Sequence, residues 1–185
     1  VLTFARFEEG GTLPNSLHGE DASNRDTSDA PLWFGVVCED LVKATGCEFL
    51  HQTVDSKGRT VLDILRSIAK GYLKGTKNGI KVDASSGLVW SPSHFTWMDT
   101  NYPAGTPRVG YPIEIQALWI CLLRFLERFD SDDVREQRNW ASWAKLATDS
   151  VENYYWYEEG GYYLDLLIAA KGETAAMAQP DNLPV

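Results

Sequence analysis

Thr60-Val61-Leu62-Asp63-Ile64-Leu65-Arg66-Ser67-Ile68-Ala69-Lys70-Gly71-Tyr72-Leu73-Lys74-Gly75 reads as one amphipathic helix, because Val61, Ile64, Leu65, Ile68 and Tyr72 recur at helical spacing and Gly75 supplies a stop. The pattern extends in both directions. Upstream, Pro31 to about Thr45 forms a helix with Pro at an early position, where its missing N–H costs nothing, with Asp29 as cap and Gly46 as stop. Downstream, the helix from Pro112 carries Leu118, Cys121, Leu122, Phe125 and Phe129 on one stripe, and the next carries Trp140, Trp143, Ala144, Ala147, Val151 and Tyr154. Helices are therefore expected at 31–45, 60–74, 112–129 and 132–157. Within the insert after the second helix, Ile80–Ala84 and Leu88–Trp90 read as a small hairpin around Ser85-Ser86-Gly87.

Connection lengths turn these elements into an arrangement. Short links make antiparallel helix neighbours, whereas Thr76 to Tyr111 is long. The segment entering the first helix, the long insert and the tail of the fourth helix then emerge at one end. That end collects Asn24–Asp29, Trp90–Arg108 and Tyr154–Asp165, all rich in aromatic and carboxylate residues, so it is where a site is expected.

The 185 residues, 44% hydrophobic and 23% charged, fit a single globular domain. Apolar runs such as Trp33–Cys38 and Ala117–Leu123 fall far short of the ~20 residues that span a bilayer, so no membrane partner is expected. With 26 acidic against 17 basic residues, the net charge of -9 argues against nucleic acid. Cys38, Cys47 and Cys121 lack CxxC spacing and read as reduced structural thiols, which favours the cytoplasm. Scattered His18, His51 and His94, with no GxSxG elbow or phosphate-cradling glycine loop, give no support for a metal or cofactor. Val1 opens inside an amphipathic run and Val185 ends a polar Pro-containing segment, so the sequence reads as a piece of a longer polypeptide.

The chemistry sits in the long insert. Ser93-His94-Phe95-Thr96-Trp97-Met98-Asp99-Thr100 sets one carboxylate beside Trp and His, followed by Pro107-Arg108 and Tyr111-Pro112-Ile113-Glu114. This mixture suits a sugar: indole faces stack on apolar C–H faces, while carboxylates and guanidinium groups take hydroxyl pairs. A carboxyl group held against Trp97 and Met98 loses solvation of its charged form, which raises its pKa toward a general acid's. The plainer reading makes Asp99 a turn residue, Asp29 an N-cap and Glu114 a helix-dipole partner, with Trp119, Trp140 and Trp143 in the core.

Five ordered motifs carry a family resemblance: Gly11-Thr12-Leu13-Pro14-Asn15; Ser28-Asp29-Ala30-Pro31-Leu32-Trp33-Phe34; Phe95-Thr96-Trp97-Met98-Asp99; Thr106-Pro107-Arg108; and Tyr111-Pro112-Ile113-Glu114-Ile115-Gln116-Ala117-Leu118-Trp119. Together they resemble the glucosidase domain of glycogen debranching enzymes, the amylo-alpha-1,6-glucosidases. Gly160-Gly161-Tyr162-Tyr163-Leu164-Asp165 resembles a later strand of the same family, which extends the likeness over nearly the whole chain.

The resemblance implies an all-α domain, part of an (alpha/alpha)6 toroid with a small β-hairpin in a long inter-helix loop. Residues 1–185 would hold about half of it. It implies inverting hydrolysis of alpha-1,6-linked glucose from debranched glycogen or a related alpha-glucan, without a cofactor. Asp99 matches the family's general acid, and Asp29, Trp97, Arg108 and Glu114 match residues lining the glucose pocket. The catalytic base is expected beyond Val185, and neither Glu158 nor Glu159 is nominated for it. At Asp26 the family more usually has Asn, and no role is assigned there. The alternatives are a toroidal alpha-glycosidase of another specificity, trehalase-like or processing-glucosidase-like, or a non-catalytic glucan-binding domain. Oligomeric state has no signature in the sequence.

Overall fold

The computed structural model describes residues 1–97, 107–130 and 139–181. Its helices are α1 (Leu2–Ala5), α2 (Ala30–Thr45), α3 (Val61–Lys74), α4 (Ile113–Phe129) and α5 (Trp140–Tyr155), with 3-10 turns at Cys47–His51 and Ala175–Met177. Helix α3 forms where the periodicity places it. Thr60 caps it by accepting from Asp63 N, and the Asp63 side chain accepts from Thr60 N in return, so two otherwise orphaned donors are satisfied. Its inner face buries Val61, Ile64, Leu65, Ile68 and Tyr72, at about 1.5–3 kcal/mol for each large aliphatic side chain. Tyr72 stacks on Trp119 of α4 with ring centroids 5.9 Å apart. On another side Gly71 meets Gly11 backbone to backbone, and a Cβ at Gly71 would lie 2.5 Å from Gly11 Cα.

Helix α4 is the centre of the packing, with α2 on one side and α5 on the other. It also anchors the hairpin β1 (Lys81–Val82) and β2 (Val89–Trp90), whose antiparallel register pairs Lys81 with Trp90 and Val82 with Val89. Gln116 of α4 acts as a substitute strand partner: its Oε1 accepts from Val89 N at 2.7 Å and its Nε2 donates to Val89 O at 3.0 Å. Trp119 Nε1 donates to Gly87 O at 3.0 Å and Ser150 Oγ of α5 to Ser86 O at 2.7 Å, which pins the turn.

Three parts of the expected architecture are corrected. The chain is a mixture of helices and small sheets rather than all-α with one hairpin. β3 (Gly110–Pro112) pairs antiparallel with β6 (Leu166–Ile168), which pairs with β7 (Gln179–Asp181), and β4 (Trp156–Tyr157) pairs with β5 (Tyr162–Tyr163). The last long helix does not run from 132 to 157. Asn139 is extended and caps α5 by accepting from Ser142 N at 2.9 Å, and the chain leaves the helix at Trp156 to enter β4; residues 131–138 lie outside the described residues. Of the three thiols, all free, only Cys38 is buried, its pKa pushed up to about 12 by desolvation, while Cys47 and Cys121 are exposed. Among the described residues, no helix is long and apolar enough to cross a membrane.

Candidate active site

The site begins where β3 turns into α4. Pro112 ends the strand and is also the N-cap of α4, so Glu114 stands in the first helical turn, facing back along the chain toward Arg108. Arg108 is 3% exposed at its side chain, and each of its N–H groups has an acceptor. Nε donates to Asp165 Oδ2 at 3.1 Å and Nη2 to Asp165 Oδ1 at 2.8 Å. Nη2 also reaches Glu114 Oε2 at 2.8 Å, while Nη1 donates to Glu114 Oε1 and, at 3.2 Å, to Thr96 Oγ1. A guanidinium has five N–H donors, and this arrangement uses all five. The two carboxylates are gripped in bidentate fashion from either side, the strongest geometry open to such pairs.

Arg108 adopts a left-handed backbone conformation, φ +47°, and so does His94 at φ +60°. Strain of this kind persists where the surroundings over-determine the conformation. Here the guanidinium is fixed by Asp165, Glu114 and Thr96, and His94 N donates to Pro107 O at 2.9 Å. Asp165 is also held from the backbone, since Ile113 N donates to its carbonyl at 3.0 Å. Desolvation raises the Asp165 carboxyl above its ordinary value; Arg108 opposes that rise, and the neighbouring charge of Glu114 adds to it.

Asp29 is tied to the same end by a separate set of bonds. Ser28 N donates to Phe95 O at 2.6 Å, Ser28 Oγ lies 2.8 Å from Ser91 Oγ, and Tyr72 OH donates to Ser28 O at 2.9 Å. Phe95 and Thr96 therefore join the segment bearing Asp29 to the segment bearing Arg108. The capping role is corrected: Asp29 occupies the N-cap position without a side-chain bond to the helix, and Thr27 Oγ1 accepts from Ala30 N at 3.1 Å instead. That hydroxyl donates to Asp29 Oδ1 at 2.6 Å, so the carboxylate reaches the helix end only through Thr27. It borders a groove of about 360 Å³ that is also lined by Leu13, Pro14, Asn15, Trp33 and Phe34. Trp97 is 66% exposed, in contrast to the fully buried Trp119. Asp99 lies outside the described residues.

Three of the five sequence motifs thus meet at Thr96, Arg108 and Glu114, and a fourth joins them through Ser28. The family model for amylo-alpha-1,6-glucosidase matches residues 1–182. The chain belongs to the amylo-alpha-1,6-glucosidase family. Comparison with curated proteins gave no match. Membership relates the chain to glycoside hydrolases and makes it a glycosidase domain of the glycogen-debranching type. In this family member, sequence reasoning overlooked Asp165 and Thr96 as partners of Arg108. Both stood inside quoted motifs, but side-chain pairings across 57 and 12 residues leave no local trace.

Proposed function

We propose that the chain is part of the catalytic domain of an inverting alpha-1,6-glucosidase that removes the glucose stub from debranched glycogen or a related alpha-glucan. Its helices would form about half of an (alpha/alpha)6 toroid. In this reading Asp99, three residues after Thr96, is the general acid. Its O–H proton passes to the glycosidic oxygen as the C1–O bond breaks, and water adds to C1 from the opposite face. The carboxylate that activates this water is assigned outside residues 1–185; in inverting enzymes it stands ~6.5–9.5 Å from the acid.

One observation supports the reading above others: a buried, fully hydrogen-bonded Arg108 gathers Thr96, Glu114 and Asp165 at the end where Asp29 also stands. Because its donors are all taken, Arg108 acts by positioning. Glu114 and Asp165 keep spare lone pairs, which would accept glucose hydroxyls, and the exposed Trp97 ring offers a face for the sugar.

The test is Asp99→Asn in the complete polypeptide. Hydrolysis of the natural alpha-1,6 linkage should fall ~10²–10⁴-fold, the usual share of general acid catalysis. A glucosyl fluoride, whose leaving group needs little protonation, should lose far less. Equal losses on the two substrates, or unchanged activity on the natural linkage, would remove Asp99 from the acid's role.

A further inference from the structure

The hairpin of β4 and β5 carries aromatic rings that the fold leaves in solvent. Trp156 and Tyr163 are each 43% exposed, with Tyr162 close to that. Register places Trp156 opposite Tyr163 and Tyr157 opposite Tyr162, so the two pairs lie on opposite faces of the ribbon. Tyr157 packs against the core, which makes its face the inner one. The outer pair meets edge to face at 5.1 Å. Polar edges are tied down by carboxylates: Trp156 Nε1 donates to Glu158, Tyr163 OH to both oxygens of Glu152 at 3.0 Å, and Tyr157 OH to Glu159 at 2.9 Å. Ring faces are left over.

The hairpin grows out of the candidate site. Its first strand follows Tyr155, which is fully buried and donates from OH to Tyr111 O at 2.6 Å, beside the entry to α4. Its second strand returns through Leu164, whose N donates to Tyr155 O at 2.8 Å, to Asp165 on Arg108. A two-stranded ribbon is marginal alone, and exposed rings on one suggest a contact made elsewhere. From Trp156 to Tyr163 the ribbon contains no aliphatic side chain and no cation, only aromatic rings, two glutamates and two glycines. Such a surface, with no cation, disfavours anionic polymers. It matches a neutral polyhydroxyl chain, whose C–H faces stack on rings and whose hydroxyls bond carboxylates.

We infer that the outer face of this hairpin, Trp156 and Tyr163 with Glu152 and Glu158, binds the glucan chain beyond the glucosyl unit held in the candidate site. The choice of glucan rests on the glucosidase reading; the existence of a sugar platform does not. The experiment has two arms, both on the complete polypeptide. In the first, migration through gels containing glycogen is compared with migration through plain gels. The wild type should be retarded, Trp156→Ala with Tyr163→Ala should weaken binding about tenfold, and Trp156→Phe should retain most of it. The same double variant should raise KM for a branched glucan by a similar factor while kcat/KM for isomaltose changes less than twofold. The second arm needs no variant: glycogen should protect Trp156 of the wild type from N-bromosuccinimide, read by peptide mass spectrometry. Absence of wild-type retardation, retardation unchanged in the double variant, or no protection of Trp156 overturns the inference. Hairpin-dependent retardation without alpha-1,6 hydrolysis keeps the platform and removes the glucosidase reading; hydrolysis with hairpin-independent retardation does the reverse.

Discussion

Arg108→Lys keeps a positive charge at the centre of the candidate site and changes its donor geometry. Lysine offers three donors from one atom, where the guanidinium spends five across a plane that reaches Asp165, Glu114 and Thr96 together. At least two hydrogen bonds to charged acceptors are lost, each about 1.5–3 kcal/mol. Glu114 and Asp165 are 27% and 20% exposed at their side chains, so water recovers part of this. The expected loss is about 3 kcal/mol, at the lower edge of what breaking a buried pair costs. In a chain of 185 residues that lowers Tm by roughly 6–12 °C, measurable by circular dichroism. The pH dependence is a second readout. Asp165 is held above its ordinary value by desolvation, and Arg108 is what restrains it. A carboxyl raised in the folded state favours folding most when protonated, and that contribution is lost as pH rises through its folded value. Weakening the restraint raises Asp165 further, so the gap between wild type and variant should narrow on acidification from pH ~7 to ~5. A Tm within about 2 °C of wild type, or a gap that widens in acid, would refute the positioning role given to Arg108.

Gly71→Ala should cost about 2 kcal/mol in urea denaturation, because a new methyl meets Gly11 Cα at 2.5 Å and Gly10 O at 2.7 Å; a helix position without that contact would gain stability instead. Asp83 gives an acid-sensitive site: desolvation pushes its carboxyl up, but hydrogen bonds from Ser86, Ser85 and Ala175 N together outweigh it and hold the group below its ordinary value. Its contribution is present above the ordinary carboxylate range and is lost as pH falls below about 4, so Asp83→Asn should flatten the acid limb of a stability-versus-pH curve.

What the sequence made legible was local or modular. The α3 stripe is written in closely spaced residues, and the family motifs hold residues that meet at Arg108. What it concealed was set by tertiary contact. Residues 110–112 and 166–168 form strands because they pair with each other across the chain, and neither segment is long enough to show alternation. The α2 cap moved from Asp29 to Thr27 because the Thr27 hydroxyl serves the helix and the carboxylate at once, a choice no residue-type preference dictates. The end of α5 was overrun because Trp156 and Tyr157 continue a helical-looking pattern, and only their pairing with Tyr162 and Tyr163 makes them extended.

The partners of Arg108 arrive on the ribosome far apart in time. Thr96, Arg108 and Glu114 are synthesised together, but Asp165 follows 57 residues later, and the strand that flanks its neighbours, β7, comes later still. Until then the guanidinium lacks two of its five acceptors and β3 lacks its sheet neighbour. Contacts of such long range form late. A nascent chain therefore carries its helices before it carries the complete Arg108 cluster, and synthesis past residue 165 supplies the last of these partners.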